Sequence, residues 1–179
     1  EKYGASPASV SDIVLLTPKA KVDQRKAEYP GIQVFPIAFK STELSVKDWQ
    51  FLLGAIGNDS MYIRQINAIM RNNRANLTFQ SLRNEVRNSP ALSSGQRSLA
   101  EARLGFAEDY IDDSFALSLI LKPGRLVIVD LRDEFIEKDQ ALGLFVVMLN
   151  IFSGVTQEDG KRFNKFIVFD EAHKYMDNK

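Results

Sequence analysis

The sequence predicts an α/β protein with a mainly parallel sheet flanked by helices, and three observations carry that expectation. Short apolar runs without polar alternation recur, at residues 12–16 (DIVLL), 31–39 (GIQVFPIAF), 126–129 (LVIV) and 166–169 (FIVF), as in strands covered on both faces. Segments with helical spacing separate them. Two of the runs end in acids, Asp130 and Asp170, which places carboxylates at the carboxyl ends of strands, where open α/β sheets bind their ligands. A length of 179 residues fits a single domain with a real core, with a helical insertion over about 45–111 and a core βαβ unit over about 125–171.

Composition narrows the function classes. With 45% hydrophobic and 26% charged residues and zero formal net charge, the chain reads as an ordinary globular protein, and no global field advertises nucleic acid or membrane. The absence of cysteine excludes disulfides and thiolate chemistry and suits a reducing cytoplasm. A lone histidine, His173, rules out a multi-histidine metal site. The polar amino end (EKYGASPASVS) does not read as a signal peptide. The most apolar helical run, 141–152, is too short to span a bilayer, so no membrane partner is expected.

Taken in order, the run at 12–16 is closed by Thr17 and Pro18, and a charged helical connection follows to Pro30 and Gly31. Pro36 makes the second run an edge or bent strand. Ser45 with Asp48 forms a short-armed capping box that opens a helix carrying Trp49, Leu52 and Leu53 on one stripe. The next helix is read over 58–74, with Met61, Ile66, Ile69 and Met70 at helical spacing. Thr78 caps a third, with Phe79, Leu82 and Val86 inward, which ends at Ser89 and Pro90. A fourth, over 93–111, turns Leu99, Leu104 and Phe106 inward. Lys122, Pro123 and Gly124 give a turn signal ahead of LVIV. Residues 138–152 are apolar almost all round, as a crossover helix packed on a sheet would be.

The chemistry concentrates at FIVFDEAH. In P-loop NTPases an apolar strand ending in two acids is the Walker B element, in which the Asp holds Mg²⁺, usually through water, and the Glu polarises the attacking water. The acid pair makes Asp170 and Glu171 candidates for those roles. The plainer reading is a core strand followed by a helix whose first turn carries acids because the macrodipole favours them. The phosphate-binding G-x-x-x-x-G-K-[ST] string is missing. GVTQEDGKR (154–162) has the wrong glycine spacing, Arg162 in place of the hydroxyl residue and a helix in front of it. Between residues 58 and 104, seven arginines (Arg64, Arg71, Arg74, Arg83, Arg87, Arg97, Arg103) face three acids, a local net of +4. They read either as a phosphate-tracking rim or arginine finger or, more simply, as a solvated face.

The ordered set GIQVFPIAF, LSVKDWQFLLG, LKPGRLVIVDL, a long apolar helix ending NIFSG, and FIVFDEAHKYM resembles the HerA branch of the HerA/FtsK P-loop ATPases, from about residue 31 onward. The resemblance implies part of a RecA-like core in an ATP-driven DNA translocase. Such a protein is a bacterial or archaeal cytoplasmic hexameric ring around duplex DNA, working with a nuclease in end processing or defence. It makes Asp170 the Mg-organising acid and Glu171 the catalytic carboxylate, with ATP and Mg as cofactors of the complete protein. Without the upstream Walker A and the sensor elements, the fragment alone is expected to be inactive. The letters DEAH also resemble motif II of the DEAH-box helicases, which would have His173 couple hydrolysis to the second helicase domain; separately, His173 is expected near the γ-phosphate as a candidate sensing residue. Two further classes stay open. One is a binding or assembly module with a decayed ATPase site; the other is a Mg-dependent phosphoesterase using Asp130, Asp170 and Glu171 together.

Overall fold

The computed structural model describes residues 9–54, 61–73, 77–157 and 159–170. Three parallel strands, β1 (Ile13–Thr17), β2 (Gln33–Pro36) and β3 (Leu126–Val129), form a sheet in the order β2-β1-β3. Leu15 stands opposite Val34 on one side and Ile128 on the other. The chain therefore leaves β1 toward one side to make β2 and returns to the other side to make β3. That reversal is the switch point outside which doubly wound sheets bind ligands.

Strand pleating sends Val14 and Leu16 to one face together with Phe35, Val127 and Val129. This face packs into the main core with Trp49, Ile66, Met70, Leu82, Leu104, Leu144 and Val147. Helices α2 (Val46–Leu52), α3 (Met61–Asn72), α4 (Phe79–Asn88), α5 (Ser94–Glu108) and α6 (Lys138–Gly154) supply it. The short α1 (Val22–Glu28) packs against β2 and contributes nothing to that cluster.

The caps explain where the helices begin. Ser45, Thr78 and Ser93 each accept a bond from the backbone N–H three residues on, while Asp48, Ser81 and Gln96 bond back to the cap N–H. Each box satisfies two backbone donors that would otherwise be orphaned. Pro36 ends β2, which is an edge strand, as a residue without an N–H requires.

Four expectations are corrected. The segment 166–169 is not a buried strand: it runs extended outside every ladder, with Phe166 95% and Val168 87% exposed. The βαβ unit over 125–171 therefore lacks its second strand. Among the described residues β3 is an edge strand, and its Leu126 and Ile128 are exposed on the sheet face opposite the main core. In α5, Leu99 points outward and Ala100, Leu104 and Ala107 form the inward stripe. Small residues there let α5 approach closely. The same helix stops at Glu108, and Ile111 instead makes an isolated parallel bridge with Phe39.

Candidate functional site

The carboxyl ends of β1 and β3 carry the densest polar cluster near the switch point. The ladder continues one residue past β3, where Asp130 N–H donates to the Leu16 carbonyl at 2.8 Å, so the Asp130 side chain is delivered at the sheet edge. Its carboxylate is buried and accepts from the Arg132 backbone N–H at 3.0 Å and from Arg132 Nη2 at 2.6 Å. Arg25, only 4% exposed, brings its Nε to 2.9 Å from Asp130 Oδ2. The Nε–H is not aligned for a hydrogen bond, so this contact is ionic. Arg25 Nη1 bonds both Glu28 oxygens, and Nη2 donates to the Arg132 carbonyl at 3.0 Å. Arg132 Nη2 also reaches the Tyr29 hydroxyl at 3.3 Å, and Lys21 bonds Glu134 at 3.0 Å.

Burial pushes the Asp130 carboxyl up, but the Arg132 hydrogen bonds and the two guanidinium charges outweigh it and hold its pKa below the ordinary value. Arg132 is correspondingly pushed up, first by its bonds to Asp130. Two cations and two carboxylates thus lock α1 to the loop after β3, the arrangement in which buried charges are tolerated. A carboxylate committed this way has little left to offer a metal, which disfavours the phosphoesterase reading that needs Asp130 as a ligand. Neither arginine was singled out by sequence. The only available signal was a cation two residues beyond the strand-ending acid.

Asp170 lies on an exposed turn after the extended 166–169 segment, not at the end of a paired strand. Glu171 and His173 lie outside the described residues. Among the described residues no three His, Asp or Glu side chains converge as metal ligands. The structure does not join Asp170 to Asp130 through neighbouring strands.

Arg83, Arg87, Arg97 and Arg103 of the helical region are committed within the fold. Arg83 bonds Glu108 at 2.7 Å and lies over the Phe79 ring, and Arg87 bonds Glu101 at 2.8 Å. Arg97 donates to the Ser89 and Leu92 carbonyls, and Arg103 reaches Asp139 at 3.2 Å. Arg64 and Arg71 are exposed on α3, and Arg74 lies outside the described residues. Ion pairing between α4 and α5 therefore accounts for Arg83 and Arg87 better than a free rim does. No helix among the described residues is long and apolar enough to cross a membrane. Comparison of the chain with protein-family models, curated proteins and solved structures gives no match.

Proposed function

We propose that this chain is an internal portion of a HerA-like, ATP-driven DNA translocase, a RecA-like core whose phosphate-binding loop is supplied by residues outside it. The observation that carries the reading is topological. A parallel sheet reverses its strand order at β1, ends its third strand in an acid, and sends a 17-residue, strongly apolar helix toward a second apolar run ending in Asp170 and Glu171. In that reading Asp170 organises Mg²⁺ and Glu171 polarises the attacking water. ATP and Mg belong to the complete protein, which encircles duplex DNA as a hexameric ring.

The test is Mg-dependent ATP hydrolysis by the complete protein, with and without duplex DNA, beside its Glu171→Gln variant. DNA-stimulated turnover that falls about a hundredfold or more in the variant, with nucleotide binding kept, supports the roles given to the acid pair. Equal turnover in both proteins removes Glu171 from catalysis. A second reading, a non-catalytic assembly module, draws on the saturation of Asp130 and on the apolar surface of 166–169. A complete protein that binds no ATP would favour it.

A further inference from the structure

We infer that the loop after β3 docks, through Phe135, into a hollow between α2 and α3 of a second copy of this chain. Phe135 is 83% exposed, although its loop is firmly held. Asp130 and the Arg132 carbonyl tie the loop to Arg25, Lys21 bonds Glu134 at 3.0 Å, and the Phe135 N–H donates to Asp133 Oδ1 at 3.0 Å. An apolar ring presented on a pre-ordered loop gives up little conformational freedom on binding, which is what an interface anchor requires. Three acids, Asp133, Glu134 and Glu137, stand within two residues of it.

The receiving surface has the complementary character. Val46, Gln50, Asn67 and Arg71 line a half-open hollow of about 210 Å³, and a cavity of roughly 150 Å³ is enough for a benzene ring. The Gln50 amide donates to Asn67 Oδ1 at 2.8 Å and braces the two helices across it. Val46 offers exposed apolar surface there, and a guanidinium such as that of Arg71 is attracted to an aromatic face. Lys47 and Arg64 are exposed on the same two helices, whose single acid, Asp48, is buried. A cationic rim thus meets the acids that flank Phe135. The loop does not reach its own hollow. Asn150 donates to Asp48 at 2.7 Å, which sets the first turn of α2 beside residue 150 of α6, whereas Phe135 stands just before the Glu137 cap of that helix. From 137 to 150 the helix rises about 20 Å, at roughly 1.5 Å per residue, too far for one side chain on a pinned loop to cross. Only another copy brings the two surfaces together. The contact would join neighbours in the proposed ring; the ring rests on the ATPase reading, and the contact does not.

The test replaces Phe135 by the photo-cross-linker p-benzoylphenylalanine in the complete protein. Copies carrying ordinary and heavy nitrogen are mixed, irradiated without nucleotide, and the adducts mapped by mass spectrometry. The expected adduct joins position 135 of one copy to residues 46–50 or 67–71 of another. Adducts only within one copy, adducts between copies only at other surfaces, or no adduct at all overturn the inference. Self-association is also measured by sedimentation for Phe135→Ser and Arg71→Glu, each expected to be about tenfold weaker than in the parent. Both positions are exposed, so the unfolding midpoints should not move, and weaker association then reports the surface rather than the fold. Mixed together, the two variants should associate more tightly than either does alone, since Phe135 of one and the hollow of the other are intact. Association equal to the parent in both variants, or no gain on mixing, overturns the inference as well. Neither readout requires ATP, so failure of the contact and failure of the ATPase reading are separable.

Discussion

Replacing Arg25 by Met should destabilise the chain by about 3 kcal/mol, because a buried carboxylate loses part of its charge compensation. The figure is built from the contacts. Arg25 is 4% exposed and makes three bonds, two to Glu28 and one to the Arg132 carbonyl, besides its ionic contact with Asp130. Glu28 is partly exposed and regains water, so its share is small. The Arg132 carbonyl and Asp130 are better shielded, and each contributes roughly 1–2 kcal/mol on losing its partner. Asp130 keeps Arg132, which holds the total below the roughly 5 kcal/mol upper end for an orphaned buried charge. The methionine chain refills most of the stem's volume, so little cavity cost is added. In urea, with a slope of about 2 kcal/mol/M, the midpoint should fall by about 1.5 M with the slope unchanged. The effect depends on pH in a defined direction. The Asp130 pKa is depressed in the folded chain, so its stabilisation is present above the ordinary carboxylate range and lost as pH falls through the folded value. Removing Arg25 takes away one of the charges that depress it. The deficit of the variant should therefore be full near neutrality and shrink below about pH 4. A loss under about 1 kcal/mol at neutral pH, or a deficit that grows in acid, would refute the account of the cluster as a buried ion lock.

Three further outcomes are expected. Gly54 has φ +73° and a Cβ there would lie 2.7 Å from Arg103 Nη1, whereas Gly124 has φ +78° with open space around it; Gly124→Ala should cost about 1 kcal/mol and Gly54→Ala roughly 2–3, since it also displaces the Arg103 contact with Asp139, and equal thermal shifts would deny the Arg103 contribution. Asn150 donates to buried Asp48 at 2.7 Å across the α2–α6 contact, so Asn150→Ala should lose about 1–2 kcal/mol in chemical unfolding, and an unchanged midpoint would mean water replaces the amide. Phe135 is 83% exposed, so Phe135→Ser should stay within about 0.5 kcal/mol of the parent by the same assay.

What the sequence disclosed was whatever the chain decides over a few residues. The serine and threonine caps, the Pro36 edge strand, the inward stripes of α2 and α4 and the 138–152 helix follow from local bonding and spacing, and the structure places them as read. Strand membership is a different kind of property. FIVF has the composition of a buried strand, but composition supplies no neighbour, and the segment lies outside the sheet. Leu99 misled because a leucine was weighed above the small Ala100 and Ala107, which the packing of α5 selects. Arg25 was invisible for a related reason: it lies over a hundred residues from Asp130 and only the fold brings the two together, whereas Arg132 stands two residues beyond the acid it binds.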